Sequence, residues 1–149
     1  MVERSGEHLL TVLTDVLDFS KIEAGHVHID KRPFDLALLI DEVVGLSNVT
    51  AKDKGLNLLV LSNLAACHPV VGDPMRVRQV LHNLLGNAIK FTQHGQIVVS
   101  AQAETNDGAF CQIRFQVQDT GIGISPEGLS KLFQRFQQAD DSTSRRFGG

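Results

Sequence analysis

Leu10, Leu13, Leu17, Ser20 and Ala24 repeat at three- to four-residue intervals, widened by Leu9 and Val16. The spacing predicts a helix over 5–24 with one apolar stripe. Glu7, Asp15, Asp18, Lys21 and Glu23 cover its other sides as an ordinary solvated face, and Gly25 supplies a stop. Such a stripe needs a partner, either the rest of the chain or a second chain in a helical bundle. Residues 26–34 are short and mixed, which suits a linker strand. Asp35 can cap a second helix, with Leu36, Leu39, Ile40, Val43 and Leu46 as apolar positions and an end near Gly55. Residues 57–62 read as a strand and 69–72 as a short one. Asp73-Pro74 sets a cap and a first-turn proline before a third helix, which runs to about Phe91 and is closed by His94-Gly95.

The period then changes from helical to alternating. Cys111, Ile113, Phe115 and Val117 alternate with Gln112, Arg114, Gln116 and Gln118. Residues 96–104 and 110–118 are therefore the clearest strand pair, joined by the turn signal Asn106-Asp107-Gly108. Ser125-Pro126 begins a fourth helix, reaching about Phe136, and a polar tail without periodicity follows to Gly149. Helices mixed with an antiparallel pair predict an α+β fold, with helices on one face of a sheet. Strands and helices do not alternate strictly, which argues against a doubly wound parallel fold.

Composition narrows the function classes. The 149-residue chain is 42% apolar and 21% charged, so disorder throughout is excluded. Its formal charge of −3 disfavours non-specific nucleic-acid binding, which needs a basic surface. Eight Phe but no Trp or Tyr make the core aliphatic. No apolar run approaches the roughly 18 residues of a membrane span, and the N-terminus has no signal-peptide profile. Cys67 and Cys111 form no CxxC pair, so they are expected as free thiols in a reducing compartment. His26 and His28 form an HxH without a third ligand at recognisable spacing.

Three segments carry candidate chemistry. On the third helix Val80, Leu81, Leu84, Leu85, Ala88 and Ile89 form the apolar face. Gln79, Asn83, Asn87 and Lys90 fall on another stripe, at offsets of four, four and three. Asn costs about 0.6 kcal/mol against Ala in a helix. Two of them one turn apart leave two readings open: a merely polar face, or amide oxygens that ligate Mg²⁺ beside phosphate with Lys90 as a point charge. Asp119-Thr120-Gly121-Ile122-Gly123-Ile124 directly follows the strongest strand. A carboxylate there can accept the exocyclic amine of a purine, and glycines allow close backbone approach. The same glycines serve ordinary turns, and the third glycine of GxGxxG is absent. Phe133 and Phe136 fit either a core or an aromatic anchor for a flap. Arg145 and Arg146 fit phosphate contact or plain solvation.

In this order the segments resemble the ATP-binding catalytic domain of sensor histidine kinases. Arg78-Gln79-Val80-Leu81-His82-Asn83-Leu84-Leu85-Gly86-Asn87-Ala88-Ile89-Lys90-Phe91-Thr92 is similar to the family's N box. DTGIGI, residues 119–124, is similar to its first glycine box. Leu132 to Phe136 is similar to its F box, and Phe147-Gly148-Gly149 to the start of its second glycine box. FSKIEAG, residues 19–25, resembles the end of the second dimerisation helix, above all in hybrid kinases.

The resemblance implies a Bergerat-type two-layer α/β sandwich (the GHKL ATPase and kinase fold) with an N-terminal helix from the dimerisation domain. It divides the chain into 1–25, the end of a helical hairpin, and 26–149, the catalytic domain. It implies ATP and Mg²⁺ as cofactors, with Asn87 as the metal ligand and Lys90 on phosphate. Asn83 is implied near the γ-phosphate, and Asp119 on the adenine amine. Gly121, Gly123, Ile124 and Phe136 are implied as further nucleotide-site residues. The implied activity is transfer of the γ-phosphoryl group to a histidine. Implied partners are a response-regulator receiver domain and a second copy of the kinase, in the cytoplasm, with membrane anchoring of the parent left open. The acceptor histidine, expected in a SHExR-type phrase, is missing, and the second glycine box stops at Gly149. The acceptor is therefore expected outside this chain, which is expected not to phosphorylate itself. Two rivals stay in view: a degenerate docking module without nucleotide, and a GHKL-type ATPase. The ATPases carry Glu where this chain has Asn83, which disfavours hydrolysis.

Overall fold

The computed structural model describes residues 28–64, 70–106 and 110–131. The expected helix over 5–24, the turn at 107–108, the F-box segment 132–136 and the tail lie outside them. The chain divides into two units, 1–31 and 32–149. All the helices and strands described belong to the second. They are β1 (Arg32–Phe34), α1 (Leu36–Asp53), β2 (Asn57–Asn63), β3 (Val70–Gly72), α2 (Pro74–Phe91), β4 (Gln96–Asn106), β5 (Cys111–Asp119) and α3 (Pro126–Lys131).

The helix starts are chemical and local. Asp35 accepts the Leu38 N–H at 3.0 Å. Asp73 accepts from both Met75 N and Arg76 N, at 3.0 and 3.1 Å, while Pro74 occupies the first turn, where no amide donor is needed. Asp73→Ala is expected to lower stability by about 1 kcal/mol. A urea titration that gives the variant an unchanged midpoint would refute this.

The strands form two sheets. β1 pairs antiparallel with β3. The larger sheet has the order β2-β4-β5, with β2 parallel to β4 and β4 antiparallel to β5. The expected antiparallel pair is thus present, and β2 adds a parallel neighbour on its other side. A parallel pair needs a crossover, and α2 lies within the one that joins β2 to β4.

Inward positions of β4 alternate strictly: Ile97, Val99 and Ala101 are buried. They join Leu36, Leu39, Ile40 and Val43 of α1 and Leu81, Leu85, Ala88 and Ile89 of α2 in one core. On β5, Ile113, Phe115 and Val117 pack against that core half-buried, and the alternate residues face solvent. Two polar contacts also link α1 to α2. Arg78 pairs with Glu42 at 2.7 Å, and the Lys54 ammonium donates to the Ile89 carbonyl at 2.9 Å. The linked positions advance together along both helices, so the helices run in the same direction.

Three apolar expectations are corrected. Val80 and Leu84 of α2 and Leu46 of α1 are 56%, 42% and 64% exposed. At about 100° per residue, the four buried residues of α2 span roughly 100° of arc. Val80 and Leu84 widen that arc toward the asparagines, beyond what a helix laid on one face buries. Leu46 lies just outside the buried arc of α1, and Ser47 takes the inward position, its hydroxyl donating to the Val43 carbonyl at 2.9 Å. The cysteine expectation is corrected too. Cys111 is disulfide-bonded, while Cys67 lies outside the described residues. Disulfide formation depends on distance in space, and spacing along the chain says little about it.

Candidate functional site

The amide stripe of α2 is solvent-facing. Asn83 and Asn87 are both exposed on α2. Lys90, one turn on, is half-buried, with its ammonium 5.4 Å from the Phe91 ring centroid. The three positions span about 10 Å of helix and lie within roughly 60° of arc. They present two neutral amides and one cation to the same space. No group of three or more His, Cys, Asp or Glu suited to a metal occurs among the described residues. The donor set fits Mg²⁺ nonetheless: the ion takes oxygen ligands and keeps waters and phosphate oxygens, so one protein oxygen such as the Asn87 amide is enough.

The second half of the site begins where β5 ends. Asp119 is the last residue of that strand, opposite Ile97 in the β4 ladder. Its Oδ1 accepts the Gly121 N–H at 2.8 Å and closes a tight turn. Its Oδ2 has no partner among the described residues and is available to a ligand donor. The carboxylate is solvent-exposed in the described structure.

This turn packs on the end of α2. The Ile122 N–H approaches the Phe91 carbonyl at 3.4 Å. A Cβ built on Gly121 would lie 2.5 Å from that carbonyl oxygen and 2.8 Å from Asp119 Oδ1. Gly121 is therefore required by the junction between α2 and the turn, a role distinct from the close ligand approach expected of it. Gly123 adopts φ 68° with open space around its Cβ position, and Ile124 is 49% exposed. Lys90 and Asp119 thus flank one backbone junction, although 29 positions separate them in the chain. Phe136 lies outside the described residues.

Two residues that the sequence pattern did not single out complete the junction. The Thr120 hydroxyl reaches back to the turn that opens β4, and Thr92, 1% exposed, ends α2. The Thr92 hydroxyl has no partner among the described residues. Neither carries a local signal, because Thr is ordinary both just after a helix and just after a strand. A cleft of about 420 Å³ between α1 and α2 includes Lys54, His82, Gly86 and Lys90 but neither asparagine. It is distinct from the amide face and shares only Lys90 with it.

The profile of the histidine kinase-, DNA gyrase B- and HSP90-like ATPase family matches residues 72–149. The chain belongs to this family, and the α+β architecture with its mixed sheet is the family's fold. Among curated relatives, the signal transduction histidine-protein kinase BarA of Escherichia coli (strain K12) is 46% identical over 148 residues, covering 99% of this chain and 16% of that protein. Sensor protein GacS of Pseudomonas syringae pv. syringae is 44% identical over 148 residues, with the same two coverages, 99% and 16%. Among solved structures, full-length ShkA in complex with AMPPNP superposes with a TM-score of 0.79 at 33% identity, over 95% of this chain and 29% of that one. The chain spans about one sixth of the length of these two curated relatives. The matched region of the chain is of the ATP-binding catalytic type that the ordered motifs implied. No helix among the described residues is long and apolar enough to cross a membrane.

Proposed function

We propose that the chain is the ATP-binding catalytic region of a hybrid-type two-component sensor histidine kinase. It serves transfer of the γ-phosphoryl group of Mg-ATP to a histidine outside the chain. The observation that carries this reading is the junction of α2 with the β5 turn. It brings the Asp119 carboxylate beside the end of the helix whose one face carries the amides of Asn83 and Asn87 and the Lys90 ammonium.

In this reading residues 1–25 end a dimerisation hairpin and 26–149 form the catalytic domain. Asp119 accepts the adenine amino group. Gly123, Ile124 and Phe136 contribute to the nucleotide site. Lys90 contacts phosphate as a point charge. Asn87 holds Mg²⁺, which when bound neutralises phosphate charge. Asn83 orients the terminal phosphate. A neutral amide takes up no proton near neutral pH, so Asn83 cannot activate water as a carboxylate would. That favours transfer by positioning over hydrolysis. The intact kinase is expected to act as a homodimer in the cytoplasm and to pass its phosphoryl group to a receiver domain.

The test is calorimetric titration with ADP and ATP, with and without Mg²⁺. Wild type should bind in the micromolar range or weaker, near −8 kcal/mol or less in magnitude, and Mg²⁺ should strengthen ATP binding. Asn87→Ala should stay folded, because Ala is the better helix former, and should lose most of the Mg²⁺ enhancement. An undiminished enhancement in the folded variant would remove Asn87 from the metal site.

A further inference from the structure

Thr120 sits between the two residues to which the nucleotide reading gives work, Asp119 and the glycine turn, yet has no role in that reading. Its geometry is unusually committed for an exposed side chain. Its backbone N–H donates to the Gln96 carbonyl at 3.2 Å, extending the β4–β5 ladder one residue beyond Asp119. Its hydroxyl accepts the Gln96 N–H at 3.1 Å. The hydroxyl proton has two acceptors in reach, the carbonyls of His94 and Gln96, both at 3.3 Å. The side chain therefore grips the His94-Gly95-Gln96 turn from its donor and acceptor sides.

The turn is shaped to receive it. Gly95 has φ 110°, and a Cβ there would overlap Thr120 Oγ1. Any other residue at 95 would be strained and would also displace the hydroxyl. The Gly95 carbonyl in turn accepts the Asn57 N–H at 3.1 Å, tying the grip to the start of β2. On the other side, Gly121 and Ile122 rest on the Phe91 carbonyl. Asp119 is thus followed by a residue anchored to the sheet and then by one anchored to α2, and its Oδ1 is held by the turn between them.

We infer that Thr120 is a positioning residue for nucleotide recognition: its hydroxyl, seated over Gly95, fixes the Asp119 carboxylate against the end of the amide-bearing helix and so sets selectivity for adenine. This rests on the assignment of Asp119 to the adenine amine. Without the grip, the Asp119–Gly121 turn keeps its own internal bond but loses its anchor on the β4 side. The carboxylate then samples orientations in which Oδ2 no longer meets the base amine.

The experiment compares wild type, Thr120→Val, Thr120→Ser and Asp119→Asn in the full 149-residue chain. It measures ADP and GDP affinity by calorimetry and the unfolding midpoint by thermal denaturation. Val preserves the β-branched shape and removes only the hydroxyl chemistry, so the fold should survive. Thr120→Val should bind ADP at least fivefold more weakly, with a reduced ADP-to-GDP preference. Thr120→Ser, which restores the hydroxyl, should recover to within about twofold of wild type. A Thr120→Val chain with wild-type affinity and selectivity, while Asp119→Asn is weakened, would overturn the positioning role and leave the adenine assignment intact. A lowered unfolding midpoint without a change in ADP-to-GDP preference, or a Ser variant as weak as the Val one, would overturn it likewise. Wild-type binding by Asp119→Asn would overturn both the adenine assignment and the inference that rests on it. Should Thr120→Val fail to fold, the Ser variant decides alone: loss of ADP selectivity with the hydroxyl retained would refute the inference, and wild-type selectivity would support it.

Discussion

Asp119→Asn is expected to weaken ADP binding about tenfold to a hundredfold. The reason lies in how the two carboxylate oxygens are used. Oδ1 is already engaged by the Gly121 N–H at 2.8 Å, which leaves Oδ2 for the adenine amine. In the variant the amide oxygen keeps the Gly121 bond, and its NH₂ meets the base amine donor to donor. The loss is that of a hydrogen bond to a charged acceptor, about 1.5–3 kcal/mol. Discrimination against GTP should fall as well, because an amide NH₂ can donate to the guanine carbonyl that the carboxylate repels. Calorimetry with ADP, ATP and GTP reads both effects. Equal ADP affinity in wild type and variant would remove Asp119 from the base site.

Gly121→Ala is the second change with a large expected effect. The added methyl would stand 2.5 Å from the Phe91 carbonyl oxygen and 2.8 Å from Asp119 Oδ1. The first obstacle is backbone, which cannot rotate away as a side-chain end would. The turn must therefore lift from α2, at a cost of about 1–3 kcal/mol, typical of overpacking. It carries Asp119 with it, so nucleotide affinity should drop together with stability. Gly86→Ala is the matched control. Nothing lies within 4 Å of a Cβ at that position, and the change should be neutral or stabilising by up to about 1 kcal/mol. Urea unfolding of both variants, with ADP titration of each, checks the contrast. A Gly121→Ala chain as stable as wild type would show that the α2 junction is not tight.

Much of the placement of the candidate site residues was legible in the sequence because the parts are helical and local. Asn83, Asn87 and Lys90 share a face as a consequence of 3.6 residues per turn, whatever the helix packs against. Asp35 and Asp73 announced their helices by side chains that satisfy nearby amides. The alternation in β5 predicted a strand with one face turned to the core, and Ile113, Phe115 and Val117 are on that side. Less legible were the limits of burial. Val80 and Leu84 read as core on apolarity alone, yet both are exposed, because how wide an arc is covered depends on the neighbouring layer.

Local sequence alone was enough to read the helices and strands among the described residues, the polar face of α2 and the order of the motifs that mark the family. Each of these depends on residues a few positions apart, where backbone geometry dictates which side chains are neighbours. Long-range packing was needed to reveal that β2 lies parallel to β4 and that Cys111 is disulfide-bonded. It alone brought the β5 turn against the Phe91 carbonyl, and so assigned Gly121 to a backbone contact and Thr120 to a grip on Gly95. Those contacts join residues 24 to 31 positions apart in sequence. No local propensity encodes them. They form because the α2 crossover and the β4–β5 ladder bring a helix end and a strand end to the same place, where the space left at positions 95 and 121 has no room for a Cβ.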